Sequence, residues 1–181
     1  ATTEIYTLSL HDALPIFQFF SLEIIILLII VRIYGILSKK IKDIIFDKSF
    51  WKNFHDYLIS ITDLLKDCDV VLIEKQLGFS KVVNYKAIQM SAQLFAHLII
   101  QYPSKEIIEY LASNKTKTFN VKLPQKKDRK KWAIEYTKNI LTQKGDDTSL
   151  EWISSFSKED DVCDCILMIL SYLVKVFKIN I

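Results

Sequence analysis

Glycine is scarce in this chain: three residues in 181, at positions 35, 78 and 145. A loop that cradles phosphates needs several glycines within a few residues, so that class of nucleotide site is excluded. Cysteine is as rare. Cys68, Cys163 and Cys165 are odd in number and have no C-x-x-C spacing. That argues against a disulfide framework and against a zinc site. Two of them sit in apolar helical context, where cysteine behaves as a small hydrophobe. The usage fits a reducing, intracellular compartment. Histidine is limited to His11, His55 and His97. No Ser/His/Asp or Cys/His arrangement has a recognisable local signature, and there are no internal repeats.

Apolar residues and one basic stretch are what the chain does have. Half of its residues are hydrophobic, enough for one domain with a real core. The net charge of +3 is unevenly spread. Lys115 to Lys131 carries eight Lys or Arg against one Asp, a local +7, so the remainder sums to −4. A basic stretch on an otherwise acidic chain indicates either a polyanion partner or a solvated loop and helix face.

The first sixteen residues, ATTEIYTLSLHDALPI, resemble translated sequencing-adapter sequence and contain no initiator Met. They are set aside from fold reasoning, and His11 and Asp12 with them. Residues 17–45 are dominated by an apolar run. Ile24 to Val31 is eight apolar residues without a break, and Lys39, Lys40 and Lys42 follow. Read literally this is a transmembrane candidate with a positive flank. Glu23 and Arg32 weigh against a span. The other readings are a buried strand or helix, or out-of-frame translation.

Residues 46–181 read as a globular domain. Phe50, Phe54, Leu58, Ile61 and Leu65 recur at helical intervals. Val70 to Ile73 is a continuous aliphatic run typical of a strand buried on both faces, with Glu74 at its carboxyl end. Sites in open α/β sheets gather beyond that end of the strands, so Glu74 stands where a catalytic acid is expected. An edge-of-core acid paired with Lys75 or another base is the structural alternative. Asn84 can cap a helix running to about Tyr102, with Ile88, Ala92, Phe95 and Ile99 on one face. KEIIEYLA reads as a second strand, and strand, helix, strand at this spacing implies parallel pairing. His55 and His97 each stand alone on a helix, and each reads as a packed or surface residue rather than a ligand.

SNKTKTFNVKLPQ reads as a polar, basic loop, and KKDRKKWAIEYTKNIL as a helix with Trp132, Ile134, Tyr136 and Ile140 among its apolar positions. The cations crowding its start oppose the helix dipole unless a polyanion binds there. GDDTS (145–149) reads as a loop. A last helix starts near Ser157 and becomes apolar nearly all round after Asp164, so it should be buried. Its first turns hold Asp160, Asp161 and Asp164. Asp161 and Asp164 share a face, and so do Asp160 and Asp164, so spacing does not choose between the pairs. Dipole stabilisation explains Asp160 and Asp161 well and Asp164 poorly. A divalent cation such as Mg²⁺ or Mn²⁺ would offset the repulsion of acids carried into an apolar stretch.

VVLIEKQ, NYKAIQMSAQLFAHL, SNKTKTFNVKLPQKKDRKKWA and KEDDVCDCILM, in that order, resemble the poxvirus-type Holliday junction resolvases. The similarity covers roughly residues 47–175. It implies an α/β fold of the RNase H-like, RuvC-like kind, with a mixed sheet flanked by helices. It also implies a viral, homodimeric, Mg²⁺-dependent endonuclease that cuts four-way DNA junctions by phosphodiester hydrolysis, with Mn²⁺ as a possible substitute. By motif position Glu74 is the acid ending the central strand, and Asp161 and Asp164 are the helix pair, all three catalytic and metal-binding. Lys75, Lys122, Lys126, Lys127, Arg129, Lys130 and Lys131 are the DNA-contacting candidates. The family needs no membrane segment. It opens with a strand bearing a catalytic aspartate in a pattern like D-x-G-x-x-N, and this sequence contains no D-x-G. The expectation is therefore a resolvase domain whose first strands are missing or replaced, and a chain with little or no activity. Two alternatives stand beside it. One is a non-catalytic branched-DNA-binding or dimerising module, and the other a small membrane protein anchored by residues 17–37.

Overall fold

The computed structural model describes residues 24–26, 45–60, 62, 65, 68–76 and 84–179. They form an α/β structure with mostly helices around a small parallel sheet. Strand β2 (Val70–Glu74) lies between β1 (Ile24–Ile26) and β3 (Glu106–Tyr110). Ile24 pairs with Val70, and Val70 through Glu74 pair in register with Glu106 through Tyr110. Both pairings are parallel. The sequence pointed to a mixed sheet, and no antiparallel pair is found among the described residues. Three residues of the apolar run that reads as a transmembrane candidate are thus a strand of the sheet. Among the described residues no helix is long and apolar enough to cross a membrane.

Residues alternate between the two faces of β2, as a strand requires. Val71 and Ile73 pack with Phe50, Phe54 and Leu58 of helix α1 (Lys48–Ser60) and with Met90, Leu94 and Leu98 of α2 (Tyr85–Gln101). Val70 and Leu72 join the opposite cluster. There they meet Ala133 and Leu141 of α4 (Lys126–Gln143), Ile153 of α5 (Asp147–Ser154) and the apolar body of α6 (Glu159–Phe177). The short helix α3 (Ser113–Thr118) also packs on α6. Burial on both faces is why β2 has no alternating polar residues.

Several local expectations hold. Asn84 caps α2, its side chain accepting from the Ala87 N–H at 3.2 Å. Residues Ile166 to Leu173 of α6 are all buried. Others need correction. The buried face of α2 is Ala87, Met90, Ser91, Leu94 and Leu98, while Ile99 is exposed. This helix is apolar nearly all round, so periodicity alone does not select its inward face. Residues 113–118 are helix, not loop. The last helix begins at Glu159, two residues beyond Ser157.

GDDTS is also not simply a loop, because it launches α5. The buried Asp146 caps that helix, accepting from the Ser149 N–H at 3.0 Å and from the Ser149 hydroxyl at 2.6 Å. Asp146→Ala removes both acceptors and should cost about 1–2 kcal/mol. Urea unfolding measures this, and a loss below about 0.5 kcal/mol would show that the cap is dispensable.

Candidate functional site

Strand alternation places Glu74 with Val70 and Leu72, on the face covered by α6. Glu74 is half-buried at the strand's end, opposite Tyr110 in the register. The start of α6 lies over this position. Its acids are held there by α4 through two ion pairs, Lys138 to Glu159 at 2.8 Å and Lys130 to Asp160. Asp160 is therefore engaged by a lysine, whereas Asp161 and Asp164 both act on Glu74. Asp164 is itself ion-paired, with Lys115, so engagement by a lysine alone does not separate the two pairs.

Sequence reasoning missed Lys115, which it counted only as part of the basic stretch. The residue sits on α3, its side chain 9% exposed, and pairs with Asp164 at 2.9 Å. Its charge also opposes the acids around Glu74. No local signal distinguishes it from Lys117 two residues on. It is buried because α3 packs on α6, a tertiary event.

Burial pushes the Glu74 carboxyl above the ordinary range. Lys115 draws it back, the charges of Asp164 and Asp161 raise it, and Lys126 lowers it. Asp161 is raised as well, first by burial and then by Asp160. Acids perturbed by burial together with like charges at a strand end are a recognised mark of a functional site. The neighbouring cysteines, Cys163 and Cys165, are not activated as thiolates by this site. Burial pushes Cys163 up to about 11 and Cys165 up to about 12, so neither is a thiolate at neutral pH.

A raised folded-state value has a definite sign. The contribution of Glu74 to stability is fully present below its unfolded value and is lost as pH rises through the folded one. Glu74→Gln should therefore be more stable than the parent at pH 7, by about 0.5–2 kcal/mol. The difference should vanish once the carboxyl is protonated in both states. Denaturation at pH 7 and at pH 3.5 measures this, and a less stable glutamine variant at pH 7 would contradict the electrostatic assignment.

The DNA-contacting candidates divide by what already holds them. Lys122, Lys126 and Lys127 are exposed, and the charge of Lys126 reaches Glu74. Lys75 pairs with Glu109 at 3.3 Å and Lys131 with Glu135 at 3.6 Å, both at the surface. Lys130 is tied to Asp160, and that hydrogen bond holds its ammonium above the ordinary value. Arg129 donates to the carbonyls of Leu123 and Pro124 at 3.0 and 2.7 Å, fastening the loop before α4. Gln125 precedes α4 without a side-chain cap bond.

Among the described residues no group of three or more His, Cys, Asp or Glu side chains is placed to hold a metal ion, so Glu74, Asp161 and Asp164 are not gathered as a ready-made site. Mg²⁺ does not require one, since it is commonly held by one or two carboxylates with water and substrate phosphates. The donors here are hard oxygens, and the like charges crowded around Glu74 are what a divalent cation relieves. Glu74, Asp161 and Asp164 thus suit the ion in donor chemistry alone.

No protein-family model and no solved structure matches the chain. Over 107 residues it is 40% identical to "Uncharacterized protein 97L" of Invertebrate iridescent virus 3. The matched stretch is 59% of this chain and 48% of that protein. The chain thus spans about half the length of the curated relative it matches.

Proposed function

We propose that this chain carries the metal- and DNA-binding half-site of a structure-selective DNA endonuclease of the Holliday junction resolvase type, with an RNase H-like core. One observation carries the reading: Glu74 at the end of the central strand lies within the electrostatic reach of Asp161 and Asp164 of a buried helix and of Lys126 in the basic segment. The parallel sheet with β2 in the middle accommodates such a core.

Glu74, Asp161 and Asp164 are the residues that would hold Mg²⁺ or Mn²⁺. The ion supplies Lewis-acid stabilisation of the phosphodiester and a water of lowered pKa. The rest is the work of the side chains. Lys115 holds Asp164 in place and moderates the negative charge at Glu74. Exposed Lys122, Lys126 and Lys127 bind the phosphate backbone next to the acids. Arg129 fixes the path of the loop that presents Lys122.

The sequence contains no D-x-G, so the fourth acid of such a site is not supplied by that motif. Binding is therefore expected to exceed cleavage. A competition assay at fixed salt should show a four-way junction bound at least tenfold more tightly than a duplex of the same length. Equal affinity for both would overturn the structure-selective reading. Robust Mg²⁺-dependent junction cleavage, lost in Glu74→Ala, would support the nuclease but contradict the expected inactivity.

A further inference from the structure

His55 and His97 each stand alone on a helix in the sequence, but the fold brings them together. His55 on α1 and His97 on α2 have ring centroids 5.3 Å apart and ring planes at 81°. Two imidazoles bound to one tetrahedral ion through nitrogens about 2.0–2.1 Å from it have ring centres about 5 Å apart. The observed separation matches that distance, which an edge-to-face ring pair shares.

The surroundings suit an ion. Both rings line a surface cavity of about 360 Å³ whose other borders are the apolar Trp51, Phe54, Leu58, Ala96 and Ile100 and the polar Gln93 and Gln101. His55 is exposed and His97 half-buried, so an ion can enter from solvent. Gln93 and Gln101 lie one helical turn before and after His97 on the same face, where their amide oxygens can accept from metal-bound water. Burial, and then the neighbouring His55, hold the His97 imidazole below its ordinary value. The neutral imidazole is the form that binds metal. Imidazole donors favour zinc, nickel or copper over magnesium.

We propose that His55 and His97 form a site for a divalent transition-metal ion (Zn²⁺, Ni²⁺ or Cu²⁺) that clamps α1 to α2. The site lies against the Val71 and Ile73 face of the sheet, opposite the carboxylates, and does not depend on the nuclease reading. Among the described residues no third His, Cys, Asp or Glu completes it. Water or an outside ligand fills the remaining positions, so binding is reversible and weaker than in a closed four-ligand site.

The test uses the untagged full chain and Zn²⁺ alone, followed by calorimetry and thermal melting. His55→Asn, His97→Asn and Asp161→Asn are measured beside it. One Zn²⁺ per chain should bind to the parent and to Asp161→Asn. Affinity should fall at least tenfold in either histidine variant, and the zinc-induced rise in Tm should shrink in parallel. Cu²⁺ electron paramagnetic resonance should show two nitrogen ligands in the parent and one in His55→Asn. His55 is exposed, so its variant is expected to fold even if His97→Asn does not. An unliganded edge-to-face ring pair predicts equal zinc binding, or none, in the parent and His55→Asn. That result, or loss of binding in Asp161→Asn, would overturn the proposal.

Discussion

Replacing Lys115 by alanine should lower stability by about 2–4 kcal/mol at pH 7, toward the lower end of the cost of breaking a buried ion pair. The lysine side chain is 9% exposed while Asp164 is 41% exposed, so water partly relieves the orphaned carboxylate. That exposure is why the lower end applies. Glu74 also loses the charge that opposes its desolvation. The sign with pH follows. Without Lys115 the carboxyl of Glu74 rises further, so the variant's deficit should narrow as the pH falls and the acid takes up its proton. Urea denaturation at pH 7 and at pH 4 tests both points. Lys115→Met separates the lost charge from the lost side-chain volume. Combined with Asp164→Asn, the two changes should couple by about 1–3 kcal/mol. A Lys115→Ala variant within about 0.5 kcal/mol of the parent at pH 7 would remove this lysine from the electrostatic core of the site.

The second large effect belongs to the basic segment. Lys122, Lys126 and Lys127 are exposed, and Lys126 acts on Glu74; under the proposed function, DNA held by these residues would pass the acids. Each phosphate contact contributes about 0.9 to the slope of log affinity against log salt. Changing all three to alanine should lower the slope by about 3 and weaken junction binding about 10²–10³-fold near 0.1 M salt. Linear duplex should be affected to the same extent, because phosphate contacts carry no sequence information. Lys130→Ala should behave differently. Its ammonium is committed to Asp160, so its loss should reduce stability more than the salt slope. Fluorescence anisotropy across a salt series reads these outcomes. An unchanged slope in the triple variant would place the DNA elsewhere.

The parts of this site that were legible in the sequence are those governed by local rules. An aliphatic run ending in Glu74 declares a buried strand with an acid at its carboxyl end, and Asn84 declares the helix after it. Two acids three apart at the start of an apolar helix declare a shared face. Lys115 was not legible, because its burial depends on how α3 packs against α6. Neither was the pairing of His55 with His97, which lie 42 positions apart on two helices that meet only across one face of the sheet. The inward face of α2 was misplaced for a related reason. Where Ile88, Phe95 and Ile99 compete with Met90, Leu94 and Leu98, the sheet decides which side is buried. Asp146 was read as a loop residue because its capping role needs the helix that it starts.

The central claim is that Glu74, Asp161 and Asp164 hold a divalent cation against bound DNA. Its most direct test is the affinity of the full chain for a four-way junction with and without millimolar Mg²⁺ at constant ionic strength, measured for the parent and for Asp161→Asn. Binding by the parent should tighten several-fold with Mg²⁺, while Asp161→Asn should bind the junction equally well with or without the ion. Junction binding by the parent that does not respond to Mg²⁺, or an undiminished response in Asp161→Asn, would contradict the assignment and leave a DNA-binding module without a metal site.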